Sequence, residues 1–317
     1  MDFKDFVRQV GKIYAEMKIK RKQNEFMPSS MGNTTSDIDG FSYRFAVSRC
    51  SRIFKLHDMN SIAFRFPKRS RKKLPDNAKN LRVKWKHSLH KCVDASPLVL
   101  IDDSQETLKG SVLIGSHSHD FYCLDLNLGT VNWKAKLGDR IESSAACDKN
   151  ANSALVGCYD GKIYAISIKN GEIQWKYQTN GQVKSSGACD EITGFFWIGS
   201  HDGFLRAFDP DKFACVAEIS TGASIFSSPF IDWKTRSVFC CNNDGEVLCV
   251  DADSFGIKWK VLVSQEVKKE PIFSSCACGN GGGDLIVATA GGRIVSLDQS
   301  NGKKVGDEQK DETPIKK

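Results

Sequence analysis

At 317 residues the chain is long enough to bury the core of one large β domain with a smaller attachment, without disulfide staples. No run approaches the roughly 18 to 20 apolar residues of a membrane span, and the N-terminus lacks a secretion signal's apolar stretch and small-residue cleavage site, which predicts a soluble, non-secreted protein. The formal charge of +7 is lopsided: residues 1–90 carry 21 Lys and Arg against 8 Asp and Glu, and the remainder 24 against 30, so the basicity belongs to the leader.

In the first segment Phe3, Phe6, Val7, Val10, Ile13, Tyr14 and Met17 recur at three- and four-residue spacing, which predicts an amphipathic helix over residues 3–22. Its other face is basic, with Lys4, Arg8 and Lys12, then Lys18, Lys20, Arg21 and Lys22. Such a helix packs on a neighbouring domain, or binds a partner or a membrane surface; Asp2, Asp5 and Glu16 argue against a mitochondrial transit peptide. Residues 28–40 have the Pro, Ser, Gly and Asn content of a flexible linker. Phe41 to Phe66 alternates aromatic and polar residues in places and adds a strand or two. The cluster Lys68, Arg69, Arg71, Lys72 and Lys73 precedes Leu74-Pro75; it reads as a solvated linker, with a nuclear-import or nucleic-acid patch as the alternative. Residues 1–80 are therefore a leader, 81–306 the repeat domain and 307–317 a charged tail.

The repeats decide the fold. Gly115-Ser116, Phe121 to Asp125, Gly129 and Trp133 align without a gap on Gly157-Cys158, Ile163 to Ser167, Gly171 and Trp175, an offset of 42 residues. A further step of 42 reaches Gly199-Ser200, Leu205 to Asp209 and, at the Trp position, Ala217; another reaches Asn243, Val247 to Asp251 and Trp259. A fifth copy, with Gly291-Gly292, Ile294 to Asp298 and Gly302, is displaced by 47, which the glycine run Gly279 to Gly283 explains as an insertion. A second landmark keeps the same beat: Ser96-Pro97, Ser144-Ala145, Ser186-Gly187, Ser228-Pro229 and Ser275-Cys276. Each period resolves into four short strands, with Asp160-Gly161, Asp202-Gly203 and Asp244-Gly245 supplying the positive φ of a tight turn between the second and third. Four antiparallel strands per period of 40 to 50 residues is the signature of a propeller blade. Blades cannot cover both faces alone, so they stack around an axis.

The cysteines follow the repeat. Cys147, Cys189 and Cys278 occupy the position of Val99 and Ile231, and Cys123 and Cys249 that of Ala165 and Ala207, so they serve as small buried hydrophobes. A reducing, cytoplasmic compartment follows, with the nucleus possible through the basic cluster.

The two common propeller repeats of this period differ in their marks. Gly-His early and Trp-Asp late do not recur here, whereas the run from Asp160 to Trp175 resembles the quinoprotein (PQQ-like) repeat, whose blade tryptophan docks on the next blade. The resemblance spans residues 83–306 and makes Trp85, Trp133, Trp175 and Trp259 the structural tryptophans, with the chain entering the repeats on a Trp-bearing strand at Val83 to Lys86. Val83 to Lys86, Cys92 to Val99 and Ile114 to Leu124 are moreover similar to the C-terminal propeller of the β-alanine-activating enzymes, eukaryotic acyl-adenylating proteins with adenylation and carrier domains. The chain has no phosphate loop ending in Pro-Lys and no Leu-Gly-Gly-x-Ser for a phosphopantetheine arm, so those activities are not carried over.

No catalytic, cofactor or metal residue is assigned from the sequence. The pair Cys240-Cys241 invites comparison with the adjacent-cysteine disulfide of quinone enzymes, but it aligns with Ile198-Gly199 beside a turn and reads as two strand residues. His117 and His119 have a zinc-compatible spacing, but no third and fourth ligand is nearby and the pair reads as solvated turn residues. The marker serines recur in every copy, which explains them without a Ser-His-Asp site. His117, Tyr159, His201 and Asn243 fall at one turn position; a propeller gathers such turns at one end, where these four would form a partner-facing rim, the alternative being plain turn residues. The reading is an all-β propeller with five visible blades. The resemblance implies a ring of seven or eight, so an open arc of five should self-associate. In function it is a non-catalytic interaction module of an acyl-activating protein, docking a carrier domain or acyl acceptor. The alternatives are a soluble quinone-dependent dehydrogenase and nucleic-acid binding through the leader.

Overall fold

The computed structural model describes residues 83–102, 109–263, 269–278 and 283–305, with the backbone of Phe45–Val47 and Phe54–Lys55. The leader helix, basic cluster and charged tail expected above lie outside the described residues. All described residues belong to one compact unit, Ser42–Lys317, and every regular element among them is a strand.

Three complete blades repeat one plan. Blade 2 comprises Ala146–Cys147, Ser153–Gly157, Lys162–Ser167 and Ile173–Gln178; blade 3 comprises Ala188–Cys189, Phe196–Gly199, Phe204–Asp209 and Ala214–Ser220. Blade 4 comprises Phe230–Asp232, Ser237–Cys241, Glu246–Asp251 and Ile257–Leu262. In each, strands lie side by side in chain order and antiparallel. Blade 1 (Leu98–Asp102, Lys109–Gly115, Asp120–Asp125, Val131–Lys136) carries two extra strands on its first edge, Phe45–Val47 paired with Val99 to Ile101 and Phe54–Lys55 beyond it. These are the added strands expected between Phe41 and Phe66. Blade 5 has Ala277–Cys278, Leu285–Ala288 and Ile294–Leu297, and its fourth strand is represented by a single bridge from Leu297 to Lys304.

The turn chemistry is finer than the sequence alone implies. Gly161 N–H bonds the Cys158 carbonyl at 3.2 Å while Cys158 N–H bonds Lys162. Only the glycine takes a positive φ, +80°; this is a three-residue hairpin loop with its left-handed position last. Asp160 instead accepts the Lys162 N–H through Oδ1 at 3.0 Å. In the first copy His119 stands at that position, with φ 66°.

Two devices join the blades. The marker serines form a ladder: the N–H groups of Ser96, Ser144, Ser186 and Ser228 donate to the Oγ of Ser144, Ser186, Ser228 and Ser275, at 2.8, 2.8, 3.2 and 3.2 Å. On the other side of the blades, indole Nε1 of Trp85, Trp133 and Trp259 donates to the carbonyls of Leu126, Ile168 and Gln299, each in the next blade. The ring lies on bare backbone: at Gly171, with φ +78°, a Cβ would stand 2.6 Å from Trp133, so only glycine fits. The two middle seams differ. Phe213 and Phe255 occupy the glycine position with φ 51° and 62°; Phe213 stacks on Trp175 at 6.1 Å, and Phe255 packs beside Trp197 and Ala217, filling the place of the missing tryptophan.

Two expectations need correction. Val83 to Lys86 forms no strand: the stretch upstream, Lys72 to Asn77, lacks the apolar pattern of the third strand against which a Trp strand pairs, although Trp85 docks as predicted. Nor does the glycine run Gly279 to Gly283 account for the displacement of the fifth copy. The equivalent backbone donors Thr221 and Ile225 are four residues apart, whereas Val263 and Ile272 are nine apart. The five extra residues therefore precede Ser275, in the loop entering blade 5.

Apolar clusters fill the gaps between consecutive blades, from Leu113, Phe121 and Ile141 with Val156 at the first gap to Phe239 and Val247 with Leu285 and Val287 at the last. A second strand sandwiched in this way is buried at every residue, as in Ser153–Gly157 and Ser237–Cys241. In Leu285–Ala288 burial alternates with exposure, leaving Ile286 41% and Ile294 77% exposed.

Candidate functional site

Each turn after a second strand grips the loop that enters its blade. The N–H groups of His117, Tyr159, His201, Asn243 and Ala290 donate to the carbonyls of Cys92, Arg140, Gln182, Ser224 and Pro271 at 2.8 to 3.1 Å. This one bond fixes the turn residue beside the loop residue two positions further on, which is Asp94, Glu142, Lys184, Phe226 or Phe273 according to the copy. Turn and loop positions therefore share one end of the blade array.

The side chains there touch in sequence. His117 Nε2 lies 2.9 Å from Asp94 Oδ2 and 3.7 Å from Glu142 Oε1, across the boundary to blade 2. Arg140 is 3.6 Å from the Tyr159 ring centroid, with Lys184 4.8 Å from it. Lys184 also sits 4.9 Å from the Phe226 ring and 3.8 Å from Glu142. The imidazole of His201 is 4.0 Å from Phe226, which meets Phe273 at 5.4 Å. The structure thus brings three of the four predicted rim residues, His117, Tyr159 and His201, into one track through loop residues that sequence reasoning passed over. Asn243 shares the turn position, half-buried, with its amide Oδ1 unbonded. The missed residues had a legible signal: each stands two places before the marker serine.

The electrostatics of the track are mixed. Burial, then Lys184, pushes His201 below the usual imidazole range, and its buried Nε2 has no hydrogen-bond partner. A shallow cavity of about 470 Å³ opens between Tyr159 and His201, floored by Gly161, Thr179 and Gly181. At the first copy Cys92 Sγ donates to Asp94 Oδ1 at 3.2 Å, and the ligand atoms of Cys92, Asp94 and His117 all lie within 4.8 Å of one another. His119 does not join them, facing Asp139 at 3.5 Å. Cys240 and Cys241 are free, fully buried thiols.

Residues 89–312 match the family model for the beta-propeller of beta-alanine-activating enzyme. Beta-alanine-activating enzymes from mouse and human are 47% and 49% identical over 72 residues, 23% of this chain and 6% of theirs. The zebrafish protein is 52% identical over 66 residues, 21% of this chain and 5% of its own. The matched stretch is thus a small part of those enzymes. Among solved structures, BamB from Moraxella catarrhalis superposes with a TM-score of 0.56 at 18% identity, covering 69% of this chain and 65% of that one; the likeness is one of fold. The chain belongs to the β-propeller family of the beta-alanine-activating enzymes.

Proposed function

We propose that this propeller is a non-catalytic interaction module of an acyl-activating protein, and that it docks a carrier domain or an acyl acceptor on its loop end. One observation carries the reading. The serine ladder recurs unchanged from copy to copy, and the tryptophan docking recurs at three seams; both are explained by the fold. The turn and loop positions keep their backbone geometry in all five copies while no two copies carry the same pair of side chains: His and Asp, Tyr and Glu, His and Lys, Asn and Phe, Ala and Phe. Geometry held constant with chemistry free to vary marks a surface that the fold does not prescribe, and loops on a rigid scaffold are where binding residues concentrate.

The test is calorimetric titration of the full chain with a purified carrier domain of a beta-alanine-activating enzyme. Saturable binding, weakened at least tenfold by joint alanine substitution of His117, Tyr159, His201 and Asn243, is the expected result. Absence of binding, or binding indifferent to the four substitutions, overturns the assignment. In companion assays the chain should neither exchange pyrophosphate into ATP with β-alanine nor reduce a dye with pyrroloquinoline quinone and an alcohol.

A further inference from the structure

We propose that Cys92, Asp94 and His117, with Glu142 as the fourth ligand, form a structural Zn²⁺ site that fastens the entry of the propeller to its first two blades. The proposal is independent of the carrier-domain reading, which needs no metal.

The three residues come from two segments that a backbone bond holds together, His117 N–H to Cys92 carbonyl at 2.9 Å. Cys92 Sγ is 3.2 Å from Asp94 Oδ1, His117 Nε2 is 2.9 Å from Asp94 Oδ2, and Glu142 Oε1 is 3.7 Å from the same His117 nitrogen. Ligands on a tetrahedral zinc ion with bonds of about 2.0 to 2.3 Å stand roughly 3.3 to 3.7 Å apart. Cys92, Asp94 and His117 present ligand atoms within 4.8 Å of one another; Glu142, outside that group and paired with Arg140, completes the set by turning its carboxylate inward.

The donor set fits zinc rather than a hard cation. One thiolate, one imidazole and two carboxylates suit a borderline-soft ion, whereas Ca²⁺ and Mg²⁺ prefer oxygen alone. Four protein ligands close the coordination sphere, the mark of a structural rather than a catalytic site. Zinc with three anionic ligands leaves one net negative charge. Arg140 Nε, 2.9 Å from Glu142 Oε1, and Lys184, 3.8 Å from Oε2, stand where they offset it.

The repeat supplies an independent argument. The positions of Cys92, Asp94 and His117 recur in every copy with the same backbone bond, yet the later copies hold Arg140, Glu142 and Tyr159; Gln182, Lys184 and His201; Ser224, Phe226 and Asn243; and Pro271, Phe273 and Ala290. Metal-binding side chains fill all three positions in the first copy alone. That copy also differs in need: residues 83–97 enter blade 1 without a strand ladder, so a tie from this loop to the turn of blade 1 and the loop of blade 2 replaces bonds the other entries obtain from their preceding strand.

The experiment is absorption titration of the full-length chain with Co²⁺ alone, followed by Zn²⁺. One equivalent should produce a thiolate-to-cobalt charge-transfer band and the intense visible bands of tetrahedral cobalt, all abolished by stoichiometric Zn²⁺. Cys92→Ser should remove the charge-transfer band, and Asp94→Asn and His117→Ala should each weaken Co²⁺ binding at least tenfold. Metal-free melting should be unchanged in all three, since these side chains are exposed or half-exposed. Zn²⁺ should raise the melting temperature of the parent chain and not that of Cys92→Ser. No thiolate band at excess Co²⁺, or the same band in Cys92→Ser, overturns the proposal; should one variant misfold, the other two decide.

Discussion

Blades 4 and 5 carry second strands that read alike, Ser-Val-Phe-Cys-Cys at 237–241 and Leu-Ile-Val-Ala at 285–288, and yet the first is buried throughout while the second alternates. The difference lies in the neighbours. Blade 4 shares apolar clusters with blade 3 and with blade 5; among the described residues blade 5 shares one with blade 4 only. Burial in a repeat array is thus a property of position, and a continuous apolar run states that a strand is fit to be covered on both sides, not that it is covered.

The largest test exchanges equivalent residues. Phe239 is fully buried and its counterpart Ile286 is 41% exposed. Phe239→Ala should cost about 3 to 5 kcal/mol through the cavity it leaves, and Ile286→Ala about 1 kcal/mol or less, measured by denaturant unfolding. Equal costs would mean that the face of blade 5 is covered in solution.

Acid should act on the sandwiched blades. Asp190 and Asp202 are held below the usual carboxylate range despite burial, the first by Arg236 and Thr193, the second by Arg206 and Ser200. A depressed folded pKa contributes stability that is present above the unfolded value, about 3.9, and is lost as pH falls through the folded one. Melting temperature should therefore be flat from pH 7 to about 5 and fall below about 4. Arg206→Ala, which strands the 5%-exposed Asp202 side chain, should cost about 3 to 5 kcal/mol at pH 7 and flatten part of the acid limb; an unchanged limb would remove Asp202 from the account.

The seams allow a smaller, reciprocal test. At the seam between blades 3 and 4 the aromatic ring has moved from the outer strand, now Ala217, to the turn, Phe255. Ala217→Trp alone should overpack the seam at about 1 to 3 kcal/mol, and Phe255→Gly alone should leave it underfilled. The double variant should recover most of either loss, because together they rebuild the Trp133–Gly171 arrangement. Additive losses would show that the seam had found a different packing.

Thiol labelling gives the least energetic and most local comparison. Burial raises Cys249 of blade 4 to about 11 and Cys158 of blade 2 to about 12, whereas Cys278 of blade 5 is only half-buried and Cys92 is exposed. In the metal-free chain, mass spectrometry should find Cys92 modified first, Cys278 next, and Cys240, Cys241 and Cys249 only after denaturation. Alongside this, the apolar face of blade 5 should drive weak, concentration-dependent association that Ile294→Lys reduces; sedimentation insensitive to that substitution would show the face is not sticky.

Period, strand count and docking tryptophans were legible because each recurs, and recurrence separates signal from composition. What escaped was of three physical kinds. A strand needs a partner, so Val83 to Lys86 carried the right residues but lacked a ladder. Loop lengths are weakly constrained and a glycine run attracts the eye, yet the 47-residue step from Ser228 to Ser275 already sets the extra residues before that marker, and the hydrogen bonds on either side narrow them to the stretch between Val263 and Ile272. Convergence in space has no fixed spacing: Cys92 and His117 are 25 positions apart, and only the turn-to-loop bond shows them to be neighbours. The left-handed Phe213 and Phe255 belong to the same class, since a phenylalanine at a glycine position reads as divergence until its ring is seen filling the seam.

The fold spends its repeated residues on architecture, and on the proposed function its unrepeated loop end is what binds. Hydrogen exchange of the full chain, with and without a saturating carrier domain, tests it most directly. The account predicts added protection in the segments around Cys92 to Asp94, Arg140 to Glu142, Tyr159, Gln182 to Lys184 and His201, with little change in the fourth strands. Protection confined to Leu285–Ala288 and Ile294–Leu297 would contradict it, by showing that partners meet this propeller through the open face of blade 5.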